Sequence, residues 1–164
     1  MQAPAIREAR PADLPAIDSI YDHYVRTSTC TFQLEPAGLA ARERWFASHG
    51  GLWPVLVAER GSKIVAWGSL SVYNAREGYR RTVEDSVYVD EAMQGQGIGK
   101  ALLGELIDRG RALGHHTILA VIAGEQVPSV RLHERFGFSE VARMRELGWK
   151  YDRWLDVVFM QKML

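Results

Sequence analysis

Gln94, Gly95, Gln96, Gly97, Ile98, Gly99 and Lys100 stand together where a β-branched, apolar run ends and a helical run begins. Glycines at such a junction let backbone approach a ligand closely, and the first turn of a helix offers unpaired N–H groups with a partial positive charge. That combination binds phosphate. The spacing excludes the two commonest phosphate loops. A P-loop requires glycine at position 94 and Ser or Thr at 101, where the chain has Gln94 and Ala101. A dinucleotide fingerprint starting at Gly95 is met at Gly97 but finds Lys100 in place of its third glycine. Upstream, Glu84 lies inside the run Thr82 to Val89 and shares one face with Thr82, Ser86 and Tyr88 by period-two alternation. A carboxylate suited to proton transfer and a tyrosine can therefore border one pocket. His23, His49, His115, His116 and His133 show no paired ligand spacing and the only cysteine is Cys30, so no metal is expected.

The elements that must position these residues follow from length, composition and periodicity. A chain of 164 residues predicts a single domain over 1–164, and 47% hydrophobic with 24% charged residues supplies an ordinary core. The balance of 20 basic against 20 acidic residues argues against a nucleic-acid partner. No apolar run reaches the roughly 18–20 residues of a membrane span. One cysteine and a start lacking the basic and apolar parts of a signal peptide lead us to expect a cytoplasmic protein.

A strand is expected at Ala5 to Ala9, then an amphipathic helix carrying Ile17, Ile20, Tyr21, Tyr24 and Val25. A Thr-rich loop with Phe32 precedes a second helix, opened by Pro36 and closed by Gly50 and Gly51. Pro54 to Glu59 and Lys63 to Val72 read as a hairpin, Thr82 to Val89 as a third strand of that sheet. A helix ending at Gly114, a buried strand from Thr117 to Ile122 and a helix from Pro128 to Gly137 follow. Phe138 to Arg145 and Trp154 to Lys162 read as closing strands, joined by a loop through Gly148 and Tyr151. The fold class expected is α/β (α+β), a mixed, mostly antiparallel sheet of about seven strands with four helices.

Gln94 to Gly99 resembles the Gln/Arg-x-x-Gly-x-Gly/Ala signature of the Gcn5-related N-acetyltransferases (GNAT), and the order of elements agrees with that superfamily's fold. A closer resemblance, from Ile6 to Gln161, is to the subgroup that acetylates phosphinothricin, methionine sulfoximine and related amino acids. It rests on Ser28, Thr29, Phe32 and Glu35; on Thr82, Val83, Glu84, Ser86, Val87, Tyr88 and Val89; on Leu132, His133, Glu134, Phe136, Gly137 and Phe138; and on Gly148, Lys150, Trp154, Asp156 and Phe159.

The resemblance implies acetyl-CoA as cosubstrate, held by Val87, Tyr88 and Val89, by Gln94 to Lys100, and by Gln126 and Ser129. Gln126 falls where the superfamily often has asparagine. It implies Glu84 as general base, directly or through water, and His133 as proton donor or substrate contact where many members have tyrosine. Substrate contacts are implied at Phe32, Asn74, Arg76, Glu84, Asp85, Ser86 and Tyr88; Asn74 replaces a basic residue of several relatives, which weakens the case for phosphinothricin itself. A polyamine, an aminoglycoside or a protein N-terminus is the alternative acceptor, and a CoA-binding module without catalysis the alternative class. The Trp154 segment resembles one that builds a homodimer beside the active site.

Overall fold

The computed structural model describes residues 4–164; Met1 to Ala3, read above as part of a leaderless start, lie outside the described residues. Seven strands, β1 (Ala5–Glu8), β2 (Val55–Arg60), β3 (Lys63–Val72), β4 (Thr82–Val89), β5 (Thr117–Ala123), β6 (Ser139–Lys150) and β7 (Arg153–Met163), form one sheet in the order β1-β2-β3-β4-β5-β7-β6. Only β4 and β5 run parallel; every other neighbouring pair is antiparallel. Four α-helices, α1 (Leu14–Thr27), α2 (Leu39–Ala47), α3 (Ile98–Ala112) and α4 (Val127–Arg135), complete the expected α+β architecture.

Alternation along the strands divides the core in two. Leu56 and Ala58 of β2 join Ala66 and Leu70 of β3, Val83 of β4 and Ile118, Ala120 and Ile122 of β5 against Leu102, Leu103 and Leu106 of α3. Val55 and Val57, one residue out of step on β2, join Trp67 of β3 against Leu14, Ile17, Ile20 and Tyr24 of α1. The helices therefore cover opposite faces, α1 with α2 on one and α3 on the other. Close approach of α3 needs Gly68, where a Cβ would lie 2.7 Å from the Ser86 carbonyl oxygen and 2.9 Å from a Leu106 methyl.

Two expectations are corrected. The second helix begins at Leu39 rather than at Pro36, with Gly38 at φ 80° turning the chain into it. The closing strands extend further toward each other than the glycine at 148 suggested. β6 continues to Lys150 and β7 starts at Arg153, so the turn is only Tyr151 and Asp152, at φ 53° and 55°. Paired positive φ values are those of a tight two-residue hairpin. Gly148 is a strand residue whose missing side chain has another use: a Cβ there would stand 2.1–2.6 Å from ring carbons of Phe32.

Candidate active site

The parallel pairing of β4 with β5 covers only Thr82↔Thr117, Val83↔Ile118 and Glu84↔Leu119. Beyond Glu84 the strands separate. A cleft of about 1200 Å³ opens between them, walled by Glu84 to Val89 on one side and Ala120 to Ala123 on the other. The β5-facing edge of β4 from Asp85 onward thus has no strand partner and is open to a ligand.

One end of the cleft is the glycine turn. Gly95 and Gly97 have φ of 73° and 78°, with no atom within 4 Å of a built Cβ, so conformation and not space requires glycine. Gly97 is the N-cap of α3 and offers no side-chain cap. Among the described residues, the six consecutive amides from Gly95 to Lys100 donate to no backbone acceptor. Six free donors at the positive end of a 15-residue helix make an anion cradle. The glutamine side chains brace this turn from behind. Gln94 Nε2 donates to Tyr24 Oη at 2.6 Å, Tyr24 donates to the Val89 carbonyl, and Arg60 Nη1 donates to Gln96 Oε1 at 2.5 Å. Gln94 and Gln96 thus face protein with their side chains, and the Gln96 amide remains free.

Glu84, Ser86, Val87, Tyr88 and Val89 all line the cleft, as do Gln126 and Ser129. The Glu84 carboxylate is half-buried and has no hydrogen-bond partner among the described residues. Burial, and then the neighbouring charge of Asp85, raise its pKa above the ordinary carboxylate value. Tyr88 stacks on Trp67 at 4.9 Å and meets Tyr21 edge-on at 5.1 Å, and burial raises its hydroxyl well above the usual range.

Asp85 alternates to the opposite face and is buried against α4, where its Oδ2 accepts from His133 Nε2 at 3.0 Å. The other ring nitrogen, Nδ1, donates to the Ser129 carbonyl at 2.7 Å. Burial alone would lower the His133 pKa; the hydrogen bond and charge of Asp85, with the Ser129 carbonyl, outweigh it and raise the pKa. His133 is buried with both ring nitrogens engaged. Asp85 is the first β4 residue past the last β4–β5 pair, so this ion pair ties β4 to α4 where the sheet stops doing so.

Gln126 lines the cleft but gives its Nε2 to Thr29 Oγ1 at 2.9 Å, and Thr29 in turn bonds Glu125, which Arg153 holds at 2.9 Å. This network anchors the Thr-rich loop. Phe32 of that loop lines the cleft with its ring over Gly148, and the buried Lys150 donates from Nζ to the Thr31 carbonyl at 2.8 Å. Asn74 and Arg76 are not brought to the cleft. Arg76 is exposed in the β3–β4 loop, and the Asn74 side chain accepts from its amide at 3.0 Å. Tyr24, Lys150 and the Thr29–Glu125–Arg153 network went unassigned in the sequence because each works through a partner distant along the chain. Among the described residues no group of three His, Cys, Asp or Glu is placed to hold a metal ion, and no helix is long and apolar enough to cross a membrane.

Residues 17–138 match the model of the acetyltransferase (GNAT) family. The chain is 40% identical over 159 residues to the L-methionine sulfoximine/L-methionine sulfone acetyltransferase of Pseudomonas aeruginosa, covering 96% of this chain and 92% of the relative. Among solved structures it resembles a GNAT superfamily phosphinothricin acetyltransferase from Sinorhizobium meliloti in complex with AcCoA, at TM-score 0.96 and 36% identity over 99% of this chain and 89% of that one. It likewise resembles the ribosomal-protein-alanine N-acetyltransferase of Brucella melitensis, at TM-score 0.95 and 38% identity over 98% and 99% of the chains. With the cleft, the glycine turn and these similarities together, the chain belongs to the acetyltransferase (GNAT) family, within its phosphinothricin and methionine sulfoximine acetyltransferase subgroup.

Proposed function

We propose that this acetyl-CoA-dependent acetyltransferase acetylates the α-amino group of a small amino acid of the phosphinothricin, methionine sulfoximine or methionine sulfone type, by direct transfer. The observation that carries the reading is Glu84: an unpartnered carboxylate of raised pKa on the cleft wall, next to the unpaired edge of β4. Acetyl-CoA supplies the acetyl group as a thioester. The amides from Gly95 to Lys100 would hold its pyrophosphate, and the open β4 edge at Val87 to Val89 its pantetheine arm.

An α-amino group has a pKa of about 7.7–8.0 and is mostly protonated at pH 7, so it cannot attack until a base takes its proton. Glu84 takes that proton, directly or through one water. Burial and the charge of Asp85, which raise its pKa, strengthen it as a base. The amides of the β4 edge face the negative charge that develops on the acetyl carbonyl oxygen. His133, whose ring nitrogens are both engaged, serves as a positioning residue for β4 and α4, beside the role of proton donor or substrate contact that the resemblance implied. Support for an amino-acid acceptor comes from the Pseudomonas relative; the Brucella relative is what favours a protein N-terminus as the second reading. We also propose a homodimer through the β6–β7 ribbon, where Val141, Met144, Leu147, Trp149 and Trp154 are all at least 43% exposed on an outer strand pair. Apolar area of that kind on an edge needs a cover.

Four outcomes are expected. A panel of amines assayed for thiol release from acetyl-CoA should show turnover with methionine sulfone, methionine sulfoximine or phosphinothricin. Activity confined to peptides beginning with alanine, or to polyamines, would overturn the amino-acid reading. Glu84→Gln should lower kcat by about 10²–10⁴-fold. In the wild type, kcat/KM should fall as pH drops through the raised Glu84 pKa, and this acid limb should be missing from the variant; an unchanged profile would remove Glu84 as base. For His133 the folded pKa is the raised one, so its stabilising effect is complete below the unfolded value of about 6.5 and is lost as pH rises through the folded value. Urea unfolding of the wild type should show that decline and His133→Gln should not, while His133→Ala, leaving Asp85 buried without its partner, should cost about 3–5 kcal/mol. Equal slopes in wild type and His133→Gln would dismiss the ion pair. Finally, Trp154→Glu should sediment as a monomer where the wild type sediments as a dimer.

A further inference from the structure

Acetylation of an ammonium group releases a proton. Two of its N–H bonds break as it becomes an amide: one proton leaves on the thiol of CoA, and the other, taken by Glu84, has to leave the protein while cofactor and amine fill the cleft. The strand beside Glu84 holds a route. Ser71 of β3 is the direct antiparallel partner of Glu84 on β4, so the two side chains share the α1–α2 face with Cβ atoms about 4.5–5.5 Å apart. Ser71 Oγ lies 2.9 Å from Nε2 of His49, just beyond the end of α2. His49 Nδ1 lies 2.7 Å from the Trp45 carbonyl oxygen. A carbonyl only accepts, so Nδ1 carries the hydrogen, and in the neutral ring Nε2 is an acceptor. Burial, against the Trp45 carbonyl and together with the charge of Arg42, lowers the His49 pKa, so the ring is neutral at pH 7. The Ser71 hydroxyl therefore donates to His49, and its own oxygen keeps lone pairs for a donor on the strand opposite.

We propose that Ser71 and His49 form a relay that carries the proton of Glu84 out of the filled cleft to solvent. The proposal rests on the reading of Glu84 as base. Once Glu84 has taken the amine's proton, its carboxyl O–H is a donor facing the free lone pairs of Ser71. The Glu84 O–H bond breaks toward Ser71 Oγ as the Ser71 O–H bond breaks toward His49 Nε2. Glu84 is left as a carboxylate, Ser71 as a hydroxyl and His49 as an imidazolium. The half-exposed ring then loses its Nε2 proton to water and returns to the starting tautomer. The other face of β4 offers no such exit, because Asp85 and His133 are both buried and engaged with each other. Ser71 and His49 stand outside the cleft lining, so both are positioning residues that act through Glu84.

The test separates kcat from KM. Ser71→Ala and His49→Ala should each lower kcat about tenfold, short of the roughly 10²–10⁴-fold of the base itself, and leave KM for amine and acetyl-CoA within about twofold of wild type. Ser71→Thr keeps the hydroxyl and should recover most of the loss. Added imidazole should restore kcat in His49→Ala, whereas pyrazole, of the same shape but a far weaker base, should not. Restoration by both, or by neither, would dismiss the relay in favour of packing. Unchanged kcat in Ser71→Ala and His49→Ala beside an impaired Glu84→Gln would overturn the relay and leave the base intact; a Glu84→Gln as fast as wild type would instead remove the base beneath it. A measurement on the wild type does not depend on how the variants fold. Nitrogen-15 spectra of its histidine rings should show His49 near pH 7 as the Nδ1–H tautomer with Nε2 unprotonated, and an Nε2–H tautomer or an imidazolium there counts against the proposal.

Discussion

The separation of β4 from β5 after Glu84 is the constraint on which the rest of the structure depends. A strand edge inside a sheet normally satisfies its N–H and C=O groups on both sides, and leaving one side open costs free energy at every group a ligand or water does not reach. The chain confines that cost to the few residues between Asp85 and Val89 and surrounds them with contacts that replace the lost pairing. Asp85 reaches across to His133 on α4 at the apex, and Tyr24 takes the Val89 carbonyl at the mouth. On its other edge β4 keeps an unbroken register with β3, from Val83↔Val72 to Val89↔Ala66. The strand is therefore rigid on one side and available on the other, which is what a backbone-recognised ligand needs.

Alternation along this one strand also separates two electrostatic tasks. Glu84, Ser86 and Tyr88 face the α1–α2 side, where the aromatic cluster lies; Asp85 faces α4. Two adjacent carboxylates on opposite faces are coupled through the strand, and the charge of Asp85 helps keep Glu84 a stronger base than an isolated glutamate. Asp85 in turn is buried with its carboxylate on His133 Nε2. A half-buried carboxylate on one face is thus backed by the buried Asp85–His133 pair on the other.

Most of the fold and the glycine turn were legible in the sequence, and the long-range contacts that brace the cleft were not. The strands from Val55 to Val89 and the helix after the glycines are short-range patterns, in which periodicity and punctuation act within a dozen residues. The turn at Gly95 and Gly97 was legible for the same reason, since positive φ is a local demand. Lys150, by contrast, reads as one more surface cation until the hairpin folds back and buries it against Thr31. Gly148 reads as a turn until Phe32, far away along the chain, occupies the space of its side chain. Arg42 on α2 looks like a solvated residue of a weakly amphipathic helix, and only packing against β3 reveals that it ends over Trp67. Each of these is a contact between elements, and none leaves a mark on its own neighbours in sequence.

The neutral balance of 20 basic and 20 acidic residues takes on a narrower meaning once the turn is seen in place. A polyanion can be held by amide dipoles at a single helix start, without surplus lysine or arginine, but such a field is short in range and falls off within the first turn. It works only if the donors are fixed at the right places before the ligand arrives. That requirement explains why Gln94 and Gln96 turn their side chains inward, to Tyr24 and Arg60, instead of toward the cleft. Their hydrogen bonds hold the backbone that presents the free amides, and Tyr24 carries the same restraint on to Val89 at the end of β4. One tyrosine on α1 thereby fixes the glycine turn and the open strand edge relative to each other, so the two ends of the cleft are set by a single side chain.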